Sequence, residues 1–375
     1  MSMIQSIALK NFKCFEAQTL NVGKLTLLAG LNSSGKSSFL QSLLLLRQSY
    51  YQGLLPDTGL ALNGELVNIG TAQDALFEGA IEDKIDFRII WTNQLEALWS
   101  FNYNSISDVL KLEPLPVNFD IYQTSLFNND FHYLTAERLG PRPFSEMSDL
   151  SDFQVQQRRQ IGTRGEYSAH FLSVYRGEHI VNSSVLGHPN ADSLSLIDQV
   201  RAWMGEISPG ISIERKLSPD MGLVNLQFFY GLSNPYRATN VGFGITYTLP
   251  ILLAILSSLP GTLLIVENPE AHLHPKGQAM MGHLLALAAS CGVQVIIETH
   301  SDHVLNGIRL AVHGGKIKPE EICFHFFQRI EKDSQALAQV VSPKIDRNGR
   351  IDRWPDGFFD EWDKSLDALL EPAQE

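Results

Sequence analysis

Three kinds of apolar pattern run along the chain, and each predicts its own element. Short apolar runs closed by polar or turn residues read as buried strands: Lys24-Leu25-Thr26-Leu27-Leu28-Ala29, Thr262-Leu263-Leu264-Ile265-Val266 and Val293-Gln294-Val295-Ile296-Ile297. Longer stretches with apolar residues at helical spacing predict helices over 37–47, 193–204 and 247–258, and another helix opens near Gly165. Between residues 85 and 119 the pattern alternates in short runs, as in Asp86-Phe87-Arg88-Ile89-Ile90-Trp91, which predicts antiparallel strands. Further strands are expected at 3–10, 131–136, 211–215 and 223–230, with a closing hairpin from 324–328 and 338–341. Strands alternating with helices indicate an α/β fold with a mainly parallel core sheet, joined here by an antiparallel β subdomain and a compact α/β insertion. No heptad run is long enough for a coiled-coil arm.

Composition narrows the class without changing this picture. The 375 residues are 44% apolar and 19% charged, as in a folded protein with a substantial core. The expected organisation is one domain over 1–375, with a core at 1–84 and 236–330, an inserted region at 85–235 and a tail at 331–375. A formal net charge of −12 argues against a surface built to coat nucleic acid, although a local basic groove remains possible. Three scattered cysteines, Cys14, Cys291 and Cys323, suit neither a disulfide framework nor a zinc motif, and point to the cytoplasm. The apolar stretch 249–266 is divided by Pro260-Gly261 into pieces too short to span a bilayer, so no membrane role is expected.

The candidate chemistry begins at Gly30-Leu31-Asn32-Ser33-Ser34-Gly35-Lys36-Ser37, a G-x-x-x-x-G-K-S phosphate-binding loop set between a predicted strand and a predicted helix. Backbone N–H groups of Gly30, Asn32, Ser33, Ser34, Gly35, Lys36, Ser37 and Ser38 would surround a polyphosphate at the helix N-terminus. Lys36 would face the β- and γ-phosphates, and Ser37 would offer its hydroxyl to Mg²⁺. ATP and Mg²⁺ are therefore the expected cofactors. A second glycine turn, Gly242-Phe243-Gly244, precedes another helix and could present N–H groups to phosphate. The strand over 262–266 ends in Glu267-Asn268-Pro269-Glu270, and a strand ending in acids delivers carboxylate to metal and to an attacking water.

A strand ending in Lys10-Asn11-Phe12-Lys13-Cys14-Phe15 some twenty residues before such a loop, followed by these motifs, resembles the ABC-type ATPase heads. These include the chromosome-maintenance and recombination ATPases and the overcoming-lysogenization-defect nucleases. The resemblance implies that Gln73 completes the metal shell and that Glu267 is the metal-side acid. It implies that the turn with Asn240, Gly242, Gly244 and Thr246 contacts the γ-phosphate held by another subunit, so that a head-to-tail homodimer is required. His300, in Thr299-His300-Ser301, resembles the switch histidine, and Arg138 is a phosphate-side candidate. The position that usually carries the catalytic glutamate is Asn268. An amide cannot take a proton as a carboxylate does, so Glu270 is the favoured base, and slow or absent hydrolysis is the alternative.

The pairs His272/His274 and His300/His303 could supply zinc ligands, but both fall within segments that the ATPase resemblance already accounts for. In the tail, Phe359, Trp362, Leu366 and Leu369 stand at helical spacing and are expected to pack the last helix onto the core. The segment Trp354-Pro355-Asp356-Gly357-Phe358-Phe359-Asp360-Glu361-Trp362 resembles the C-terminal signature of a bacterial ATPase family named only as a domain of unknown function. That resemblance implies an anti-phage or restriction-like setting and a protein effector such as a nuclease or toxin. A nuclease of the lysogenization-defect kind is a further alternative; only 75 residues follow His300, too few for the metal-binding domain it would need.

Overall fold

The computed structural model describes residues 2–371 except 117, 148, 232 and 333–334. Its central sheet has six strands in the order Gln335–Val341, Ile322–Lys332, Leu25–Gly30, Gln294–Glu298, Leu263–Glu267 and Phe131–Leu134. All neighbours in it are parallel except the edge hairpin made by Ile322–Lys332 and Gln335–Val341. A second six-stranded sheet is antiparallel and runs Phe15–Asn21, Ile4–Phe12, Lys84–Trp91, Glu96–Asn102, Val109–Leu112 and Gly59–Ala61. A third, smaller sheet pairs Ile211–Ser218 with Leu223–Tyr230, which also binds Tyr236–Arg237 and Ser145–Glu146. The expected mainly parallel core and antiparallel subdomain are thus both present, and no coiled-coil arm occurs among the described residues.

The period-2 side-chain geometry of strands explains the layering. In the central sheet, Leu25, Leu27, Leu264, Val266, Val295 and Ile297 point into one buried cluster, shared with helices Phe243–Ser257, Pro275–Ser290 and Asp302–His313. Leu28, Leu263, Ile265 and Ile296 point into the other cluster, with Phe39, Leu40, Leu43 and Leu44 of helix Lys36–Tyr51 and the inner face of the antiparallel sheet. A parallel sheet covered on both faces needs apolar residues at nearly every position. This is why its strands show in the sequence as unbroken apolar runs.

Residues 85–235 are distributed among all three sheets. Lys84–Trp91 pairs with Ile4–Phe12, and Phe131–Leu134 forms the edge of the central sheet beside Leu263–Glu267. The last helix, Glu361–Leu370, corrects the expectation for the tail. Of the four expected residues Phe359 is half-buried against the core, but Trp362, Leu366 and Leu369 are exposed on the helix, and it is Phe358 that is fully buried, edge-on to Phe326 at 5.5 Å. The cause is the turn: Gly357 and Phe359 both take positive φ, 81° and 54°, which points Phe358 inward and sends the helix away from the core. No helix of the described residues is long and apolar enough to cross a membrane.

Candidate active site

The carboxyl ends of the parallel strands bring the chemistry together. Leu25–Gly30 leads into a loop whose Gly30, Ser33 and Gly35 have φ of 138°, 61° and 114°, and helix Lys36–Tyr51 starts directly after it. Only glycine fits two of these positions. A Cβ on Gly30 would stand 2.1 Å from the Phe327 carbonyl oxygen, and one on Gly35 would stand 2.8 Å from Cys14 Sγ. The Ser34 hydroxyl donates to Leu31 O at 2.7 Å and tightens the same loop.

Lys36 is 3% exposed, and its Nζ donates to the carbonyl oxygens of Gly30 at 2.9 Å and Leu31 at 2.8 Å. Its third neighbour is Glu298, whose Oε1 is 3.8 Å away. The Ser37 hydroxyl, on the solvent side of the helix start, lies 3.3 and 3.4 Å from the two Glu298 carboxylate oxygens. Burial pushes the Glu298 carboxyl up to about 7; Lys36 and Ser37 pull it down, and Glu267 and Glu270 push it further up. Burial also moves the Lys36 ammonium below its ordinary range, against the pull of Glu298. In sequence, Glu298 was only the last residue of an apolar strand. The signal that would have found it is its equivalence to Glu267: each is the acid that closes a buried parallel strand, and the two are partners in the ladder.

Glu267 accepts from the Tyr133 hydroxyl at 2.9 Å and from the Ala136 N–H at 3.1 Å, both contributed by the edge of the sheet. Asn268 takes φ 44°, a left-handed conformation that asparagine adopts far more readily than most residues. Arg138 is buried and binds backbone, donating to Glu267 O and Asn268 O at 2.6 Å each and to Thr135 O at 3.0 Å. The phosphate-side candidate therefore holds the turn after the strand. Glu270 accepts from Thr299 Oγ1 at 2.7 Å and from the His300 N–H at 2.9 Å, and so joins this turn to the loop carrying His300. The His300 side chain is exposed, and burial of its inner edge moves its pKa below the ordinary value.

Two cavities flank the loop. One of about 250 Å³ is lined by Lys13, Cys14 and residues 33–38. The other, about 380 Å³, is bounded by Gly30, Leu31, Asn32, Thr299 and His300 on one side and by residues 357–361 of the tail on the other. Neither is lined by Asn240, Gly242, Gly244 or Thr246. Those residues stand at the start of helix Phe243–Ser257, with Asn240 and Gly242 exposed, Thr246 half-buried and Gly244 buried against the loop after Glu270: a Cβ on Gly244 would meet His272 O at 2.5 Å, and the Phe243 and Tyr247 rings lie 5.5 and 4.8 Å from His272. The Thr246 hydroxyl donates to Phe243 O at 3.0 Å. Gln73 is exposed on the short helix Ala72–Ala75 and is not among the residues gathered around Ser37. The histidine pairs do not converge. His274 caps helix Pro275–Ser290, and among the described residues no group of three or more His, Cys, Asp or Glu forms a metal cage.

Residues 25–306 match the family described as AAA domain, putative AbiEii toxin, Type IV TA system. The chain belongs to this AAA family. It is thus an ATP-binding P-loop ATPase domain by family. Residues 317–369 of this AAA chain match a second family, described as a protein of unknown function, DUF3696. No curated protein matches the chain. Similar solved structures include the SMC head domain from Thermotoga maritima, at 11% identity and TM-score 0.48, covering 90% of this chain and 98% of that one. Another is the Smc head bound to the C-winged helix domain of ScpA, at 13% identity and TM-score 0.47, covering 91% and 98%. A Smc head with an extended coiled coil, bound to the C-terminal domain of ScpA from Pyrococcus furiosus, is similar at 14% identity and TM-score 0.47, covering 99% and 100%.

Proposed function

We propose that the protein binds ATP with Mg²⁺ at the loop 30–38, hydrolyses it, and uses the cycle to close and open a head-to-tail homodimer. The observation that carries this reading is the convergence of Lys36, Ser37, Glu267 and Glu298 where the parallel strands end beside the loop. The oxygen donors Ser37 and Glu267 fit magnesium, which nucleotide sites hold with one or two carboxylates and the substrate phosphates. When bound, Mg²⁺ would draw negative charge from the phosphates during transfer. The residues of the chain supply the rest. Backbone N–H groups of the loop cradle the phosphates. Lys36 turns from its two carbonyl partners to the β- and γ-phosphates, and His300 extends from the rim to the terminal phosphate. Glu270 accepts the proton of the attacking water while keeping its bond to Thr299.

The start of helix Phe243–Ser257 is open and away from the cavities of its own loop, which supports its use by a second copy. Asn268 favours a second reading, a switch that binds nucleotide and turns it over little. Phosphate release from the purified chain separates the two. An effector protein acting downstream, in a defence setting, would read the closed dimer. The central test is Lys36→Ala: ATP affinity is expected to fall roughly 100-fold or more through loss of a charge-assisted phosphate contact. Light scattering of the parent should detect a dimer only with saturating ATP and Mg²⁺. Parent-like binding by the variant overturns the reading, as does a parent that stays monomeric.

A further inference from the structure

Glu298 is the acid whose place the proposed mechanism does not yet use. Its carboxylate lies 3.3 Å from the Ser37 hydroxyl, the oxygen that a phosphate-binding loop gives to magnesium, and it is 7% exposed. In the ladder it is the direct partner of Glu267, so two parallel strands end at one level, each with a carboxylate. The cations around it do not balance these charges. Lys36 is 3.8 Å away and is shared with the carbonyls of Gly30 and Leu31, and Arg138 commits its Nη donors to backbone oxygens. A buried carboxylate facing other carboxylates is costly without a compensating cation. A cation arriving with the ligand would supply the compensating charge.

We propose that Glu298 is a second metal-side carboxylate of the nucleotide site, supplying beside Ser37 and Glu267 the negative charge that Asn268 withholds. This rests on the nucleotide reading above. It makes two opposite predictions for one variant. Without metal, Glu298 repels the triphosphate; with metal, it attracts the complex. Glu298→Gln removes the charge while keeping size and hydrogen-bonding capacity.

The test titrates the full-length chain with a fluorescent N-methylanthraniloyl ATP, once in EDTA and once in Mg²⁺, and follows Mn²⁺ binding to the nucleotide complex by electron paramagnetic resonance. For Glu298→Gln, metal-free affinity should equal or exceed that of the parent, while Mn²⁺ affinity in the complex falls roughly 10–100-fold. Glu298→Asp, which keeps the charge but withdraws it by one methylene, should fall between the two and guards against a folding defect in the first variant. A Glu298→Gln protein with parent-like Mn²⁺ affinity overturns the proposal. So does one that loses metal-free nucleotide binding, because Glu298 would then serve only to position Lys36. If Lys36→Ala binds the fluorescent nucleotide as the parent does, the nucleotide site itself has been misassigned, and the proposal falls with it.

Discussion

The glycine-bearing turns at 30–38 and 242–244 each open a helix, and they are built in opposite ways. At the loop 30–38, positive φ at Gly30 and Gly35, the tether of Lys36 to two carbonyls and the wall made by Phe327 and Cys14 close the turn on itself. At Gly242-Phe243-Gly244 the first glycine has φ −62° and nothing within 4 Å of where its Cβ would be, and Phe243 is 54% exposed. The first turn is walled by Phe327 and Cys14; the second packs its Phe243 ring on His272 and Gly140 and leaves Gly242 open. Glycine serves the first as a conformational necessity. At Gly242 it leaves room.

The sharpest attack on this contrast is at Glu270, which ties the turn after Glu267 to the loop carrying His300. Glu270→Gln is expected to lower phosphate release about 10²–10⁴-fold, as for loss of a general base, while ATP affinity by equilibrium binding stays near that of the parent. Unchanged turnover would leave the loop without its proposed base. Gly30→Ala comes next. Its Cβ would overlap Phe327 O at 2.1 Å from a backbone that alanine disfavours, so denaturant unfolding should reveal a loss of about 4 kcal/mol or more.

The edge of the central sheet also carries an acid sensitivity. His132, on the edge strand, is held neutral by burial and by the nearby Arg47 and Arg159, with its pKa pushed down to about 4. A folded-state value below the unfolded one means that stability is lost as pH falls from about 6.5 towards 4. Up to about 3 kcal/mol is at stake, and the difference between the parent and His132→Gln in denaturant midpoints at pH 7 and pH 4.5 should isolate it. A variant as acid-sensitive as the parent would remove His132 from the account. The smallest expected effect is at the open turn. Gly242→Ala should change unfolding free energy by no more than about 0.5 kcal/mol, as at an unpacked surface site, whereas its ATP-dependent dimer should weaken measurably by light scattering. A large stability loss there would erase the contrast between the two turns.

Much of this was legible in the chain because parallel strands buried on both faces cannot hide their apolar runs, and the loop's glycines are spaced for one purpose. The positions of Gly30, Lys36, Ser37 and Glu267 at strand ends and the helix start were readable on those grounds. Glu298 was not, because its role comes from lying next to Glu267 across a ladder, and no local spacing encodes that neighbour. Phe131–Leu134 read as a strand, but its place at the edge of the central sheet depends on pairing with residues 263–266. Asn268 looked like a missing base; the left-handed turn gives it a conformational reason to be there. The tail was misread because helical spacing says which residues share a face, not whether that face meets anything.

The strand that delivers the loop is also the one that must wait longest for its neighbours. Leu28 pairs with Glu298 and Gly30 with Phe327, separations of 270 and 297 residues. During synthesis, residues 25–38 emerge early yet have nothing to lie between until residue 327 has been made. A topology this non-local folds late and slowly. A nascent fragment ending before residue 322 therefore lacks the strand that flanks the loop's own strand on one side.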